Sequence, residues 1–318
     1  MNNALIKTTE DYSTYLKESR KFSFFSSSIT SPICAYLYLV HKEHPNKEMI
    51  NLCGKIINDN SSLFSSFRGE LKNVFSCMLA IDKDPGYKMS LVSAAYAALD
   101  EYFLTNATLS LLSFMMADIA KPNKFYEIAE RTKFLHQEIN REHPFLTDSK
   151  DVAFIGLLAM STKSDAEILH ESEEIFTALK SEFSFLTQNA LQSLAHVLVL
   201  CIGDPITKCE NTISLFNQLN DYDLRYPQDF ALVPLGILAN MQIPFDQLIE
   251  DIVGTYNHLE NTDNYGLFGY GRKARIMHTL MIVAAHYMNT NIELITAITV
   301  SAIIDIEYQQ AATAATIA

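Results

Sequence analysis

Apolar residues along this chain fall in runs with helical spacing, and the runs return at intervals of about 40 residues. The triplet Phe-Leu-Thr stands at the head of three of these runs, at 103–105, 145–147 and 185–187. A threonine directly before an apolar helical pattern is a common N-cap, and the leucine before it can staple onto the first turn. We therefore expect a helix to begin after each triplet.

Prolines recur at a second position of the same repeat period. Pro85, Pro122, Pro205 and Pro244 each follow one of the apolar runs. Proline begins a helix well and cannot continue one, so it indicates the turn before a second helix. Where one unit lacks the proline, Ser164 and the aspartate after it provide an equally good helix start.

The second helices share a third marker, an aromatic residue followed three positions later by leucine. Tyr96, Phe176, Phe216 and Tyr256 are the aromatic members, and Phe134 occupies the position between the first two without its leucine. Residues three apart lie on one helix face. We expect this face to pack against a neighbouring helix.

These markers predict an all-α protein built from tandem antiparallel helical hairpins of about 40 residues. The hairpins would stack into a HEAT-like α-α superhelix or close into an α/α ring. No strand pattern with period two is found. Residues 1–63 would form an N-terminal helical cap, and 64–318 one continuous domain of about six repeats. The repeats run 64–102, 103–143, 144–183, 184–223, 224–262 and 263–318. Pro234 predicts a kink or a late start in its helix.

Composition narrows the possible partners. The chain of 318 residues has a formal net charge of -13, which disfavours nucleic acid and anionic membrane surfaces. No apolar run of about 18 residues predicts a membrane span, and no signal peptide is recognisable, so we expect a cytoplasmic protein. The five cysteines form no Cys-x-x-Cys pair, which favours reduced core thiols.

One segment is basic within this acidic chain. Several glycines precede Arg272, Lys273, Arg275 and His278, and no acid occurs between 263 and 293. Glycines before a helix leave backbone N–H groups exposed, and a helix N-terminus attracts anions. The segment predicts a site for a phosphate or carboxylate group. The alternative is a glycine-rich turn whose basic residues pair with acids of the same protein.

His196 lies two repeat periods before His278, in an equivalent first helix, so the two could face one groove. A histidine on an apolar helix is also common as a satisfied core residue. Glu167 and His170 resemble half of a di-metal carboxylate site, but no second half is found, and these side chains are expected on a solvated face. We predict no metal and no cofactor.

Four segments resemble an uncharacterised, mainly Gram-positive bacterial protein family, a domain of unknown function. They are Phe67–Lys72, His143–Thr147, Leu191–His196 and Phe268–Lys273. The resemblance covers most of the chain. It implies an all-helical bacterial cytoplasmic protein and no particular activity.

The predicted function is therefore binding. A concave groove would hold a peptide, a protein or a small anionic ligand, with Arg272, Lys273, Arg275 and His278 contacting the anion and His196 beside them. The alternative is an enzyme with an α/α-ring architecture that uses His196, His278 and a facing carboxylate. A deep enclosed pocket would favour the enzyme, and a shallow groove would favour the binding protein. Oligomeric state is not predicted.

Overall fold

A computed structural model describes most of the chain. The described residues are 1–22, 30–60, 65–69, 71–144, 151–183, 187–222, 224, 231–265, 269–288, 291 and 294–304. Their regular secondary structure is helical, and they contain no β-strand, which confirms the all-α prediction. Two predicted features, the helix start at Thr147 and the staple at Leu186, lie outside the described residues.

The helices of the described residues alternate between buried and amphipathic ones. In chain order they are α1 (Asn3–Phe22), α2 (Ser31–His41), α3 (Lys47–Asp59), α4 (Lys72–Ala80), α5 (Pro85–Asp100), α6 (Ala107–Ile119), α7 (Phe125–Glu142), α8 (Val152–Met160), α9 (Asp165–Glu182), α10 (Gln188–Leu200), α11 (Pro205–Asn220), α12 (Leu232–Ala239), α13 (Phe245–Glu260), α14 (Arg272–Tyr287) and α15 (294–304). Short 3-10 turns occupy Ser65–Phe67 and Pro122–Lys124. Each of the six predicted repeat units contains two of these helices.

The chain divides into two compact units, one of residues 1–17 with 170–318 and one of residues 18–169. In the unit of 18–169, α2 packs on α4 and α6 packs on α8. Helix α5 contacts both α6 and α7, and α7 contacts α8. Every residue of α8 except Met160 is buried, so this helix forms core on all sides.

The other unit uses the same kind of packing. Helix α12 contacts both α10 and α14. Helix α11 contacts α12, helix α13 contacts α14, and α11 and α13 also contact each other. Gly236 permits the close approach of α12 to α10, because a Cβ atom there would lie 2.5 Å from Leu194 Cδ1. The division of the chain into a cap at 1–63 and an array at 64–318 stays a prediction.

Helix starts follow the sequence signals closely. Pro205 begins α11, and Asp204 Oδ1 accepts hydrogen bonds of 3.0 Å from the backbone N–H groups of Ile206 and Thr207. Ser164 and Glu167 form a capping box at α9, in which the Glu167 carboxylate accepts the Ser164 N–H at 2.7 Å. The hydrogen bond from the Ser164 hydroxyl, followed by the one from the Ser164 N–H, lowers the pKa of Glu167.

Two local predictions at α6 are wrong. The N-cap is Asn106, whose Oδ1 accepts from the Leu109 N–H at 2.7 Å, while the Thr105 hydroxyl donates to Asp100. Leu104, predicted to staple onto this helix, is 88% exposed. The amide of asparagine reaches the first-turn N–H groups from one residue later, so threonine is left outside the helix.

Pro234 lies in the first turn of α12, where a missing N–H breaks no helical hydrogen bond, so the late helix start is confirmed. The predicted aromatic face is also confirmed at Tyr96, Phe176 and Phe216, which are buried. Tyr256 is half-buried, and Phe134 is 44% exposed. The five cysteines are buried thiols that form no disulfide.

Within the described residues, the helices are too short or too polar to cross a lipid bilayer.

Candidate functional site

Two regions of the unit of 1–17 and 170–318 are candidates. The first is the predicted basic segment at the start of α14. Arg272 and Lys273 are exposed in its first turn. Gly271 at the N-cap provides no side-chain cap, and the first turn contains no acidic residue. Charge and backbone N–H groups at this helix start are therefore compatible with an anion.

Arg275, one turn further along α14, interacts with other side chains of the protein. Its side chain is 6% exposed, Nη1 is 2.8 Å from Glu260 Oε1, and its guanidinium carbon lies 4.0 Å from the centre of the Tyr256 ring. Burial by itself lowers the pKa of Arg275, and hydrogen bonds to Tyr256 and Glu260 outweigh this effect, so the pKa is raised overall. The residue is thus a buried cation held between an aromatic ring and a carboxylate.

His278 lies one turn beyond Arg275 and is buried among aromatic rings. The Tyr265 hydroxyl and His278 Nδ1 are 2.6 Å apart. The ring of Tyr270 is 5.0 Å and that of Tyr12 6.0 Å from the imidazole, centre to centre. This surrounding matches the alternative of a satisfied core histidine.

Of the two described glycines before α14, Gly269 has a steric reason, whereas a Cβ atom at Gly271 would meet no other atom within 4 Å. A Cβ atom at Gly269 would lie 2.1 Å from the backbone oxygen of Asn264. The same oxygen accepts a hydrogen bond of 2.9 Å from the Tyr270 N–H. Gly269 therefore closes the turn that brings Tyr270 onto His278, and Gly266 lies outside the described residues.

His196 lies apart from the four basic residues of α14. It belongs to α10 and is 1% exposed. Helices α10 and α14 both pack on α12. Of the five predicted site residues, Arg272 and Lys273 reach solvent, whereas Arg275, His278 and His196 are core residues. A common anion site for all five stays a prediction.

The second region is a cavity between the end of α11 and one face of α13, which the sequence did not indicate. Its volume is about 680 Å³. Helix α13 contributes Asp246, Ile249, Glu250 and Val253, whose spacing places them on one face. The end of α11 contributes Gln218, and the turn after it Asp221 and Tyr222, while Met1 and Gly254 complete the lining.

Carboxylates dominate the charge of this cavity. Asp221, Asp246 and Glu250 are its carboxylate side chains, and the amino group of Met1 forms an ion pair with Glu250. The hydrogen bond to Glu250 raises the pKa of the Met1 amino group. Glu250 is 73% exposed in this pair, so the cavity is open to water on this side.

Buried polar groups support the wall next to the cavity. Asp251, which is 2% exposed, accepts a hydrogen bond of 2.5 Å from the Tyr287 hydroxyl. Gln247 donates to the same hydroxyl at 2.9 Å. Burial, with the carboxylate of Asp251 as the next cause, raises the pKa of Tyr287 to about 12. The network ties α13 to α14 and fixes the helix that presents the lining residues.

The sequence feature that corresponds to the cavity is an i, i+3, i+4, i+7 pattern of acidic and aliphatic residues in α13. The pattern does not reveal a cavity by itself, because the opposite wall comes from α11, more than a helix length away in sequence.

Similarity to known proteins places the chain in a family without adding a function. No curated protein and no solved structure matches it. A family model described as a protein of unknown function (DUF4003) matches residues 12–311. The match spans nearly the whole chain, so this protein belongs to the DUF4003 family of proteins of unknown function.

Proposed function

We propose that this protein binds a small ligand in the cavity between α11 and α13 and does not transform it. The observation that supports this function is the cavity itself. Its volume of about 680 Å³ lies within the range of about 300–1,000 Å³ typical of small-molecule sites. Its lining combines polar groups with the aliphatic side chains of Ile249 and Val253.

Binding is favoured over catalysis because the cavity is open. Tyr222 is 56% exposed and Glu250 73% exposed, so water reaches the groups that would contact a ligand. Catalytic acid–base pairs act best in sites from which water is excluded. The histidines of the enzyme alternative, His196 and His278, are 1% and 6% exposed, and a substrate would not reach their imidazoles.

The finer architecture belongs to the same proposal. Tandem hairpins of about 40 residues, stacked as an α-α superhelix or closed ring, would present equivalent helix faces for binding. The contacts of α12 with α10 and α14 support such stacking within this unit. So does the presence of two helices in each predicted repeat.

A thermal-shift panel of small amines, carboxylates, phosphates and neutral polyols tests the proposal. Val253→Phe places a larger side chain in the cavity, and Asn257→Phe adds the same ring one turn further along α13 at an exposed position. At least one compound should raise the melting temperature of wild type and of Asn257→Phe and leave Val253→Phe unchanged. The proposal fails if every compound that binds does so equally well to all three proteins.

A second candidate function, binding of an anion at the start of α14, is favoured by the exposure of Arg272 and Lys273 beside an uncapped helix N-terminus. The same panel separates the two candidates. A phosphate or carboxylate that stabilises wild type and Val253→Phe alike, but not the double variant Arg272→Ala/Lys273→Ala, would bind at α14 and not in the cavity.

A further inference from the structure

The cavity between α11 and α13 has a charge that selects among ligands. Three of its lining side chains are carboxylates, and none is basic among the described residues that line it. Glu250 is paired with the Met1 amino group. Asp221 and Asp246 form no ion pair with any described residue, so the described part of the chain leaves their negative charge uncompensated.

An ammonium group already contacts this wall of the cavity. The amino nitrogen of Met1 is within hydrogen-bonding distance of Glu250 and 3.7 Å from Asp251 Oδ1. The side-chain sulfur of Met1 accepts a hydrogen bond of 3.4 Å from the Thr255 hydroxyl. The contact between the Met1 amino group and Glu250 is therefore of the kind that an ammonium group of a ligand would make with Asp221 or Asp246.

The remaining lining suits the uncharged part of such a ligand. Ile249 and Val253 offer aliphatic surface next to the carboxylates of α13, and Tyr222 is an exposed aromatic ring beside Asp221. Methylene groups gain from contact with the aliphatic side chains, and an ammonium group gains from an aromatic face.

We infer that the cavity binds an organic cation that carries ammonium groups on an aliphatic chain, with Asp221 and Asp246 as its charge partners. The inference rests on the proposed function and adds the chemical class of the ligand. A free diamine and the side chains of a lysine-containing peptide both have this chemistry. The volume of the cavity, about 680 Å³, accommodates either a free diamine or a single side chain.

Isothermal titration of the full chain with 1,5-diaminopentane tests the inference, with 1,5-pentanediol and glutarate as neutral and anionic analogues of the same length. We expect the diamine to bind and the two analogues not to bind. Asp246→Asn and Asp221→Asn should each weaken diamine binding about fivefold, which corresponds to one solvent-exposed ion pair. Binding should also weaken when the salt concentration is raised, because these carboxylates are solvated.

Glu210→Gln is the matched control, since Glu210 is an exposed acid of α11 that does not line the cavity. It should bind the diamine like wild type, and circular dichroism checks that each variant is folded. A short peptide with two lysines, titrated in parallel, distinguishes the sources. Binding of the diamine alone indicates a free amine, and tighter binding of the peptide indicates a protein segment.

Absence of diamine and peptide binding, or equal affinity for pentanediol, would overturn the inference. So would an unchanged affinity in the Asp221→Asn/Asp246→Asn double variant. These outcomes are distinguishable from failure of the proposed function. If a neutral or anionic compound binds to wild type and is blocked by Val253→Phe, the cavity is a binding site and only the ligand class is wrong.

Discussion

At the scale of single residues, partners within a few ångströms decide whether a basic side chain serves the fold or a ligand. Arg272 and Arg275 are three residues apart on α14, yet the first is exposed and the second is enclosed by Tyr256 and Glu260. Their sequence environment is nearly the same. The difference arises because Arg272 is the first residue of α14, whereas Arg275 lies one turn further along, where its side chain reaches Tyr256 and Glu260 of α13.

This difference predicts unequal effects on stability. Arg275→Ala removes a stacked guanidinium and its buried methylene groups and should lower the free energy of unfolding by about 2 kcal/mol. Glu260, which is 56% exposed, can be solvated after the change, so the loss should stay below that of a fully buried ion pair. Arg272→Ala, the control, should change stability by less than about 0.5 kcal/mol. Urea unfolding followed by circular dichroism measures both, and equal effects would contradict the assignment of Arg275 to the core.

At the scale of elements, helix packing depends on where side chains are missing. Gly156 of α8 and Gly236 of α12 lie in first helices of predicted repeats, and each faces a leucine of another first helix in its own unit. A Cβ atom at Gly156 would lie 2.3 Å from Leu112 Cδ1. Propensity alone would place alanine in both helices, so glycine is required by the close approach of the helix axes.

Gly236→Ala should therefore destabilise the protein although alanine is the better helix former. Displacing Leu194 from a packed core costs about 1–3 kcal/mol, against a gain in propensity of about 1 kcal/mol. Gly86→Ala in α5 is the matched control, because its Cβ atom would meet only an ordinary contact of 3.5 Å. That variant should be neutral or slightly stabilising in thermal unfolding. A second change, Leu194→Val, should recover part of the loss in Gly236→Ala, and no recovery would argue against the steric explanation.

At the scale of the whole molecule, a half-buried histidine links stability to pH. Partial burial is the main cause that lowers the pKa of His286, a half-buried residue of α14. A lowered folded pKa means that the unfolded chain binds more protons between that value and about 6.5. Stability contributed by the neutral imidazole is present above about pH 6.5 and is lost as the pH falls through the folded pKa.

We accordingly expect the melting temperature to fall as the pH is lowered from about 7.5 to about 5.5, and the fall to be smaller in His286→Gln. His286 Nδ1 lies 3.2 Å from the Thr8 hydroxyl, a contact that glutamine can retain. His170→Gln, at an exposed position of α9, should keep the wild-type slope. Equal slopes in all three proteins would show that His286 is not a source of the pH dependence.

Some features of this structure could be predicted from the sequence and others could not, and the distinction has a physical reason. Helix starts at Pro205 and Ser164 depend on residues within one turn, so local pattern predicted them. The N-cap of α6 could not be predicted in this way. Thr105 and Asn106 can both cap a helix, and the path of the backbone determines that Asn106 does so. The burial of His278 depends on Tyr12 and Tyr265, of which only the second is near in sequence.

By itself, the sequence determined the helical class, the alternation of apolar and amphipathic helices, the family and the basic start of α14, since these follow from periodicity, caps and composition. Only the tertiary structure decided that Arg275 is enclosed, that Gly236 must lack a side chain, and that Asp221 and Asp246 share a cavity. These outcomes depend on distances between helices, and helical periodicity fixes which face a residue occupies but not what that face meets.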